Sequence, residues 1–358
     1  MKGFLILETG EIFAGVWQGG KARAGEVVFN TAHSGYEEIA TDPSYLSQIV
    51  VMTSPMQGNY GIDKSFWESE RLWIEGFVCL QVQNSKRDKS WLSRLNEFQI
   101  PCLTEVDTRA ITLRLREGGT SWGALVAAEN SDQAVSQARV LIEEKKKMPK
   151  DWVHLASRKE TVQMPGLNPK GPHVAVLDFG AKENILRELK SRCSQLTIFP
   201  SRASAKEILS VRPDGVMLTN GPGDPADVQV APQTVKELIG QKPIYGICMG
   251  HQILGLALGA STYKLKFGHR GANHPIRDEL LGRIYMTSQN HGYAVKKETL
   301  PAGVQVTQTN LNDQTVAGFF SNEKNCLGIQ YHPESHPGPH EASELFDFFV
   351  NSMIRSKL

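Results

Sequence analysis

The chain has 358 residues, 40% of them apolar and 22% charged, which is ordinary for a globular protein and enough for two or three domains with sizeable cores. The formal net charge is +1, so no global field points to nucleic acid or to a membrane surface. Five scattered cysteines (Cys79, Cys102, Cys193, Cys248 and Cys326) with no C-x-x-C pair argue against a disulfide framework and a structural zinc site, and suit a reducing cytoplasm.

At the N-terminus, Lys2 precedes a short apolar run that Glu8 and Glu11 interrupt too early for a signal peptide. No apolar run approaches the length of a membrane span. Residues 3–7 and 12–17 flank Glu8-Thr9-Gly10-Glu11, a pattern that predicts two strands joined by a hairpin turn. Residues 26–29, 46–53, 73–82 and 122–127 also read as extended. Helical spacing of apolar residues covers 91–98 and 107–116, and Gly118-Gly119 stops the second of these. A further helix is predicted over 131–147, with Ser131 as N-cap. Its basic end, Lys145-Lys146-Lys147, reads as a solvated terminus that complements the helix dipole, not as a nucleic-acid patch. Residues 1–150 are therefore expected to form a mixed α/β domain. The proline- and glycine-rich stretch 151–172 is expected to be a linker.

From His173 the pattern alternates. Strands are predicted at 173–178, 195–199 and 215–219, with helices at 182–193, 203–211 and 232–239. After residue 260 come mainly strands (263–267, 284–287, 304–309, 316–320, 327–331) and a last helix, 341–353. Residues 173–358 are thus expected to form a doubly wound, mostly parallel α/β sheet. Such sheets bind ligands at the carboxyl ends of their strands.

Three stretches fall at that edge. In Pro243-Ile244-Tyr245-Gly246-Ile247-Cys248-Met249-Gly250-His251-Gln252, an apolar strand runs into a cysteine and then a helix. The G-x-C-x-G frame has the layout of a nucleophile elbow, in which small flanks let a strained residue stand between strand and helix. The helix N-terminus favours an anionic sulfur, and the N–H of Met249 becomes available to an oxyanion. A cysteine after an apolar strand is also often an inert core residue, so these residues do not decide the matter alone. The second stretch, Asn220-Gly221-Pro222-Gly223-Asp224-Pro225, has the composition of a plain turn, yet beside a reactive cysteine its N–H groups could face an oxyanion or a carboxylate. The third, Tyr331-His332-Pro333-Glu334, offers a general base and a carboxylate two residues on that could orient it. Nine other histidines compete for the role, among them His251 and His291.

Together, in this order and at about this spacing, the three stretches resemble the class I (triad) glutamine amidotransferases over residues 173–358. The resemblance implies that Cys248 attacks the side-chain amide of glutamine. It also implies that His332 protonates the leaving ammonia and then activates water, that Glu334 orients His332, and that Gly221 and Met249 supply oxyanion N–H groups. The N-terminal half carries Gly25-Glu26-Val27-Val28-Phe29-Asn30-Thr31, Gly35-Tyr36-Glu37-Glu38-Ile39, Thr41-Asp42-Pro43-Ser44-Tyr45 and Val106-Asp107-Thr108-Arg109. With Lys266-Phe267-Gly268-His269-Arg270-Gly271-Ala272-Asn273-His274-Pro275, these resemble the small chains of carbamoyl-phosphate synthases. That likeness adds Ser44, Gly223, Gln252, Asn290, Gly292 and Tyr293 as contacts of bound glutamine. Local chemistry alone does not distinguish Ser44, because a serine after Asp-Pro is normally a turn residue.

The resemblance further implies a large synthetase chain as partner, in small/large pairs that can assemble further. That chain would use the ammonia, bicarbonate and ATP to make carbamoyl phosphate for arginine or pyrimidine synthesis. ATP and a divalent metal are expected on the large chain, and no cofactor or metal on this one. The absence of a G-x-x-x-x-G-K-[ST] loop agrees with that expectation. Two rivals are the glutaminase half of an anthranilate or aminodeoxychorismate synthase, which usually lacks such an N-terminal domain, and a silent assembly subunit, against which the intact Cys248, His332 and Glu334 count.

Overall fold

The computed structural model describes residues 1–85, 87 and 89–355. The chain divides into two compact units, Met1–Pro149 and Lys150–Leu358.

In the first unit seven strands close into a barrel in the order Lys2–Leu7, Ile12–Trp17, Cys102–Thr104, Gly76–Val78, Gln48–Met52, Arg23–Asn30, Ser121–Ala127. The last strand pairs back onto the first, Leu5 opposite Leu125. The first strand is apolar on both faces because one face fills the barrel and the other lies under the helix Ser131–Lys147. That helix buries Ala134, Ala138 and Ile142, a stripe at i, i+4, i+8, against Phe4, Ile6, Ala24, Ala124 and Val126. Its N-cap is Asn130, whose side chain accepts the Gln133 N–H; the expected cap, Ser131, is the first helical residue. The expected strand 73–82 is two short strands, Gly76–Val78 in the barrel and Gln81–Val82, which pairs with Met56–Gln57 outside it.

The second unit is built on one ten-stranded sheet. Its order is Val162–Pro165, Gln195–Pro200, His173–Asp178, Gly215–Leu218, Ile244–Ile247, Cys326–Ile329, Val316–Ser321, Gln305–Asn310, Thr262–Asp278, Arg283–Val295. Alternate residues of the central strands face opposite ways. Ala175, Leu177, Val216 and Leu218 pack under the helices Ala205–Ser210, Ala231–Leu238 and Met249–Ala257. Val174, Val176, Met217 and Tyr245 pack under Glu183–Arg192 and Glu344–Arg355. The centre is therefore doubly wound, with apolar strands buried on both faces.

Two expectations need correction. The sheet is not mostly parallel: four of its strand pairings are parallel and five are antiparallel. Between residue 260 and the strand Cys326–Ile329 no α-helix crossover is present among the described residues, and the strands there pair antiparallel. The predicted strands 263–267 and 284–287 are parts of one long hairpin, Thr262–Asp278 with Arg283–Val295. The stretch 151–172 is not a free linker either. It carries the helix Trp152–Ala156 and the edge strand Val162–Pro165, which pairs antiparallel with Gln195–Pro200. Its glycines serve close approach: a Cβ on Gly166 would lie 1.8 Å from the Cys193 carbonyl oxygen, and one on Gly171 2.1 Å from that of Arg192. Among the described residues no helix is long and apolar enough to cross a membrane.

Candidate active site

The strand Ile244–Ile247 lies between Gly215–Leu218 and Cys326–Ile329 and delivers Cys248 to the carboxyl edge of the parallel strands. Cys248 has φ 55 and ψ −103 and caps the helix Met249–Ala257. Positive φ in a residue with a side chain costs on the order of 1–3 kcal/mol and is kept only where the surroundings enforce it. Here they do. The Cys248 N–H donates to the Ile329 carbonyl (2.8 Å) and the Gly250 N–H to that of Thr219 (2.9 Å). The glycine flanks are a steric requirement. A Cβ on Gly246 would lie 2.4 Å from the Gly250 carbonyl carbon, and one on Gly250 would lie 2.2 Å from the Leu218 oxygen. The thiol is buried, with Sγ 3.5 Å from the Asn290 carbonyl oxygen.

The strand Cys326–Ile329 ends short of the predicted 331, and His332 sits beyond it in a single bridge to Ser288. His332 Nδ1 lies 2.6 Å from Glu334 Oε1, and both side chains are essentially inaccessible, at 1% and 0%. Nε2 of His332 is buried without a hydrogen-bond partner of ordinary geometry among the described residues. Burial works against a charged imidazole here. The Glu334 carboxylate and the nearby Cys248 sulfur outweigh it and lift the His332 pKa to about 10. Burial would likewise raise the Glu334 pKa, yet Lys182 and His332 hold it down to about 2.

Lys182 and Asn184 did not emerge from the sequence. Lys182 is 2% exposed and its Nζ is 3.1 Å from Glu334 Oε1; the same ammonium donates to the Ser335 carbonyl. Asn184 Nδ2 donates to the Glu334 carbonyl (2.6 Å). Both stand where the helix Glu183–Arg192 begins, just past the strand His173–Asp178. A lysine at the carboxyl edge of a central strand was the available signal.

The loop 220–225 is tied into the same corner. Asn220 Oδ1 accepts the Lys182 N–H (2.9 Å), and a Cβ on Gly221 would lie 2.4 Å from the Phe179 oxygen. Gly223 has φ +92, a conformation that favours glycine. Met249 is buried at the first helical position. Gln252 Nε2 donates to the Tyr293 carbonyl (2.8 Å) and to Gln330 Oε1 (3.1 Å). Asn290, Gly292 and Tyr293 follow one another on Arg283–Val295, so Gln252 and the Cys248 sulfur hold two carbonyls of one short segment. Ser44 belongs to the first unit. It is buried in the turn Pro43–Tyr45, where its N–H donates to Asp42 Oδ1 (2.9 Å).

Two of the competing histidines, His251 and His291, are engaged in other contacts. His251 is fully buried, its ring 4.6 Å from that of Phe319, and burial pushes its pKa down to about 3. His291 Nδ1 is bonded to the Tyr293 carbonyl at 2.7 Å. His332 alone among these three pairs with a carboxylate. The other cysteines are buried thiols; burial raises Cys193 to about 12 and Cys326 to about 11. Among the described residues no group of three or more His, Cys, Asp or Glu side chains is arranged to hold a metal ion.

A strained cysteine at a strand–helix turn and a buried His–Glu pair in one α/β sheet are the parts of a triad amidotransferase, and residues 175–352 match the class-I glutamine amidotransferase family. Residues 5–125 match the carbamoyl-phosphate synthase small chain domain. The chain is 46% identical to the carbamoyl phosphate synthase small chain of Symbiobacterium thermophilum, over 98% of each chain. Against that of Oceanobacillus iheyensis it is 44% identical, over 99% of this chain and 96% of the relative. The chloroplastic small chain of Arabidopsis thaliana is 42% identical, over 99% and 86%. This chain belongs to the carbamoyl-phosphate synthase small chain family, the glutamine-hydrolysing subunits of that enzyme.

Proposed function

We propose that this chain hydrolyses glutamine through a thioester on Cys248 and passes the ammonia to a large synthetase chain. The observation that carries the reading is the forced backbone at Cys248 in the same sheet edge as the buried His332–Glu334 pair. The Cys248 thiol proton passes to His332, and the resulting thiolate attacks the side-chain carbonyl carbon of glutamine. The resulting oxyanion accepts N–H groups from Gly221 and Met249. His332, held cationic by Glu334, gives its proton to the leaving nitrogen, and the C–N bond breaks to release ammonia. Water then adds to the thioester with His332 as base. The C–S bond breaks, glutamate leaves, and the sulfur and the imidazole regain their resting state. Glu334 and Lys182 keep the imidazole oriented throughout.

Gly223, Gln252, Asn290, Gly292, Tyr293 and, on family resemblance alone, Ser44 would contact glutamine. The large chain, carrying ATP and a divalent metal, would convert the ammonia and bicarbonate to carbamoyl phosphate for arginine or pyrimidine synthesis. The test is mass spectrometry of the chain quenched during glutamine turnover. A glutamyl adduct on Cys248, absent from Cys248→Ala, is expected. In the complex, Cys248→Ala should abolish glutamine-dependent synthesis and spare ammonia-dependent synthesis; near-normal glutaminase activity in that variant would refute the assignment.

A further inference from the structure

Beside the candidate site lies a second group of ionisable side chains that the proposed chemistry does not use. His269 Nε2 is 2.8 Å from Asp313 Oδ2, and His269 Nδ1 is 3.2 Å from His291 Nε2. His291 Nδ1 is 2.7 Å from the Tyr293 carbonyl oxygen. The two rings are buried, at 6% each. They meet edge to face, with centroids 4.9 Å apart.

A carboxylate and a carbonyl can only accept, so His269 Nε2 and His291 Nδ1 each carry a hydrogen. The nitrogen–nitrogen contact needs one more between its two lone-pair positions. Three protons then sit on two rings, where two neutral imidazoles hold two. The pair has one positive charge, and Asp313 balances it. The middle proton sits on His269 Nδ1, on the ring bonded to Asp313, and His291 Nε2 accepts it.

We propose that His269 and His291 form a shared-proton pair, charge-balanced by Asp313, that positions the backbone of residues 290–293 against Cys248 and Gln252. His269 and Asp313 are then positioning residues for glutamine binding, an assignment that rests on the proposed function. The segment they hold is short. The Asn290 carbonyl meets the Cys248 sulfur and the Tyr293 carbonyl takes both the Gln252 amide and His291. Loss of the third proton would set two lone pairs against each other and release one end of this arrangement.

The groups facing the pair are Asp313, His274, Arg270 and, beyond Asp313, Tyr263. Burial, then His269, Arg270 and His274, push the His291 pKa well below its usual range. Burial opposes the Asp313 charge, but His269 and Thr315 hold its pKa below the usual range. Asp313 is thus the one anion facing the pair among the described residues, and the third proton depends on it.

The experiment has two arms, both on the full chain. Imidazole ¹⁵N spectra of the unliganded protein count the protonated ring nitrogens of the pair. Three are expected in the wild type and two in Asp313→Asn at the same neutral pH; two in the wild type would overturn the proposal. In the second arm, KM for glutamine is followed against pH. Its alkaline rise should move to lower pH by about 1–3 units in Asp313→Asn, the usual reach of one nearby opposite charge, with kcat unchanged. Asp313→Glu should restore the profile. Superimposable profiles, or a parallel loss of kcat, would show a merely structural role. If the wild-type chain does not hydrolyse glutamine, the proposed function falls, while the ¹⁵N spectra still decide the proton count.

Discussion

At Cys248 the sulfur is placed by its neighbours' lack of side chains. Gly250→Ala would drive a Cβ to 2.2 Å from the Leu218 oxygen, a main-chain atom in the centre of the sheet that cannot yield. Overpacking of this kind costs about 1–3 kcal/mol, and the strain is relieved most easily by releasing the turn. Urea denaturation should show that loss, and adduct trapping on Cys248 should fail; a variant as stable and as reactive as the wild type would remove steric necessity from the elbow. The buried pair next to it makes a pH prediction. The His332 pKa is raised from 6.5 to about 10, so its contribution to stability is complete below pH 6.5 and is lost as pH rises toward 10. The Glu334 pKa is lowered from 4.5 to about 2, so its contribution is complete above pH 4.5 and is lost as pH falls toward 2. The difference in Tm between wild type and His332→Asn should therefore be largest near pH 6 and shrink toward pH 10. A difference independent of pH over that range would mean that His332 is not held in its charged form.

The element that secures the pair is the start of the helix Glu183–Arg192, which brings Lys182 and Asn184 to Glu334 from a distant part of the chain. Lys182→Met leaves a fully buried carboxylate without its ammonium. Removing one partner of a buried ion pair costs about 3–5 kcal/mol. Part of that loss should return in Lys182→Met with Glu334→Gln, because the amide carries no charge; a double variant no better than the single one would count against the pairing. The same elements show what the sequence could and could not disclose. The three motif stretches were legible because each concentrates unusual residues within a few positions: glycines around Cys248, glycines after Asn220, and histidine and glutamate about Pro333. Lys182 was not, since its meaning lies in a contact with a residue 152 positions away, bridged only by the folded sheet. Central strands such as His173–Asp178 matched the prediction because continuous apolar runs dictate them. The long hairpin was missed because its middle, His269 to His274, is polar and glycine-containing; its side chains there satisfy one another and need no apolar pattern. The strand Val162–Pro165 was hidden for a related reason. Proline and glycine punctuate loops in most sequences, but here they allow an edge strand and its tail to lie against neighbouring backbone.

On the scale of the whole molecule, the chemistry and the bulk of the chain are unequally divided. The second unit holds Cys248, His332, Glu334 and Lys182, whereas Met1–Pro149 is a closed barrel with none of them. The barrel itself has no open edge to extend by strand pairing, which leaves its side chains and loops to meet a partner. Its match to the carbamoyl-phosphate synthase small chain domain makes the large chain the expected partner. Ammonia released without that chain would be lost to solvent, so turnover by the isolated subunit has no use. We therefore predict that the purified chain hydrolyses glutamine slowly, faster with the large chain present, and fastest when bicarbonate and ATP are added. Reacting groups need to be placed within a fraction of an ångström, so modest tightening of a site is enough to change its rate by orders of magnitude. Glutaminase assays under the three conditions provide the check, and equal rates throughout would refute the coupling while leaving the thioester chemistry standing. Ser44→Ala separates two meanings of the first unit. If Ser44 contacts glutamine, KM should rise and ammonia-dependent synthesis should be untouched. If the substitution changes neither, Ser44 serves only the turn Pro43–Tyr45, and the barrel acts through its partner alone.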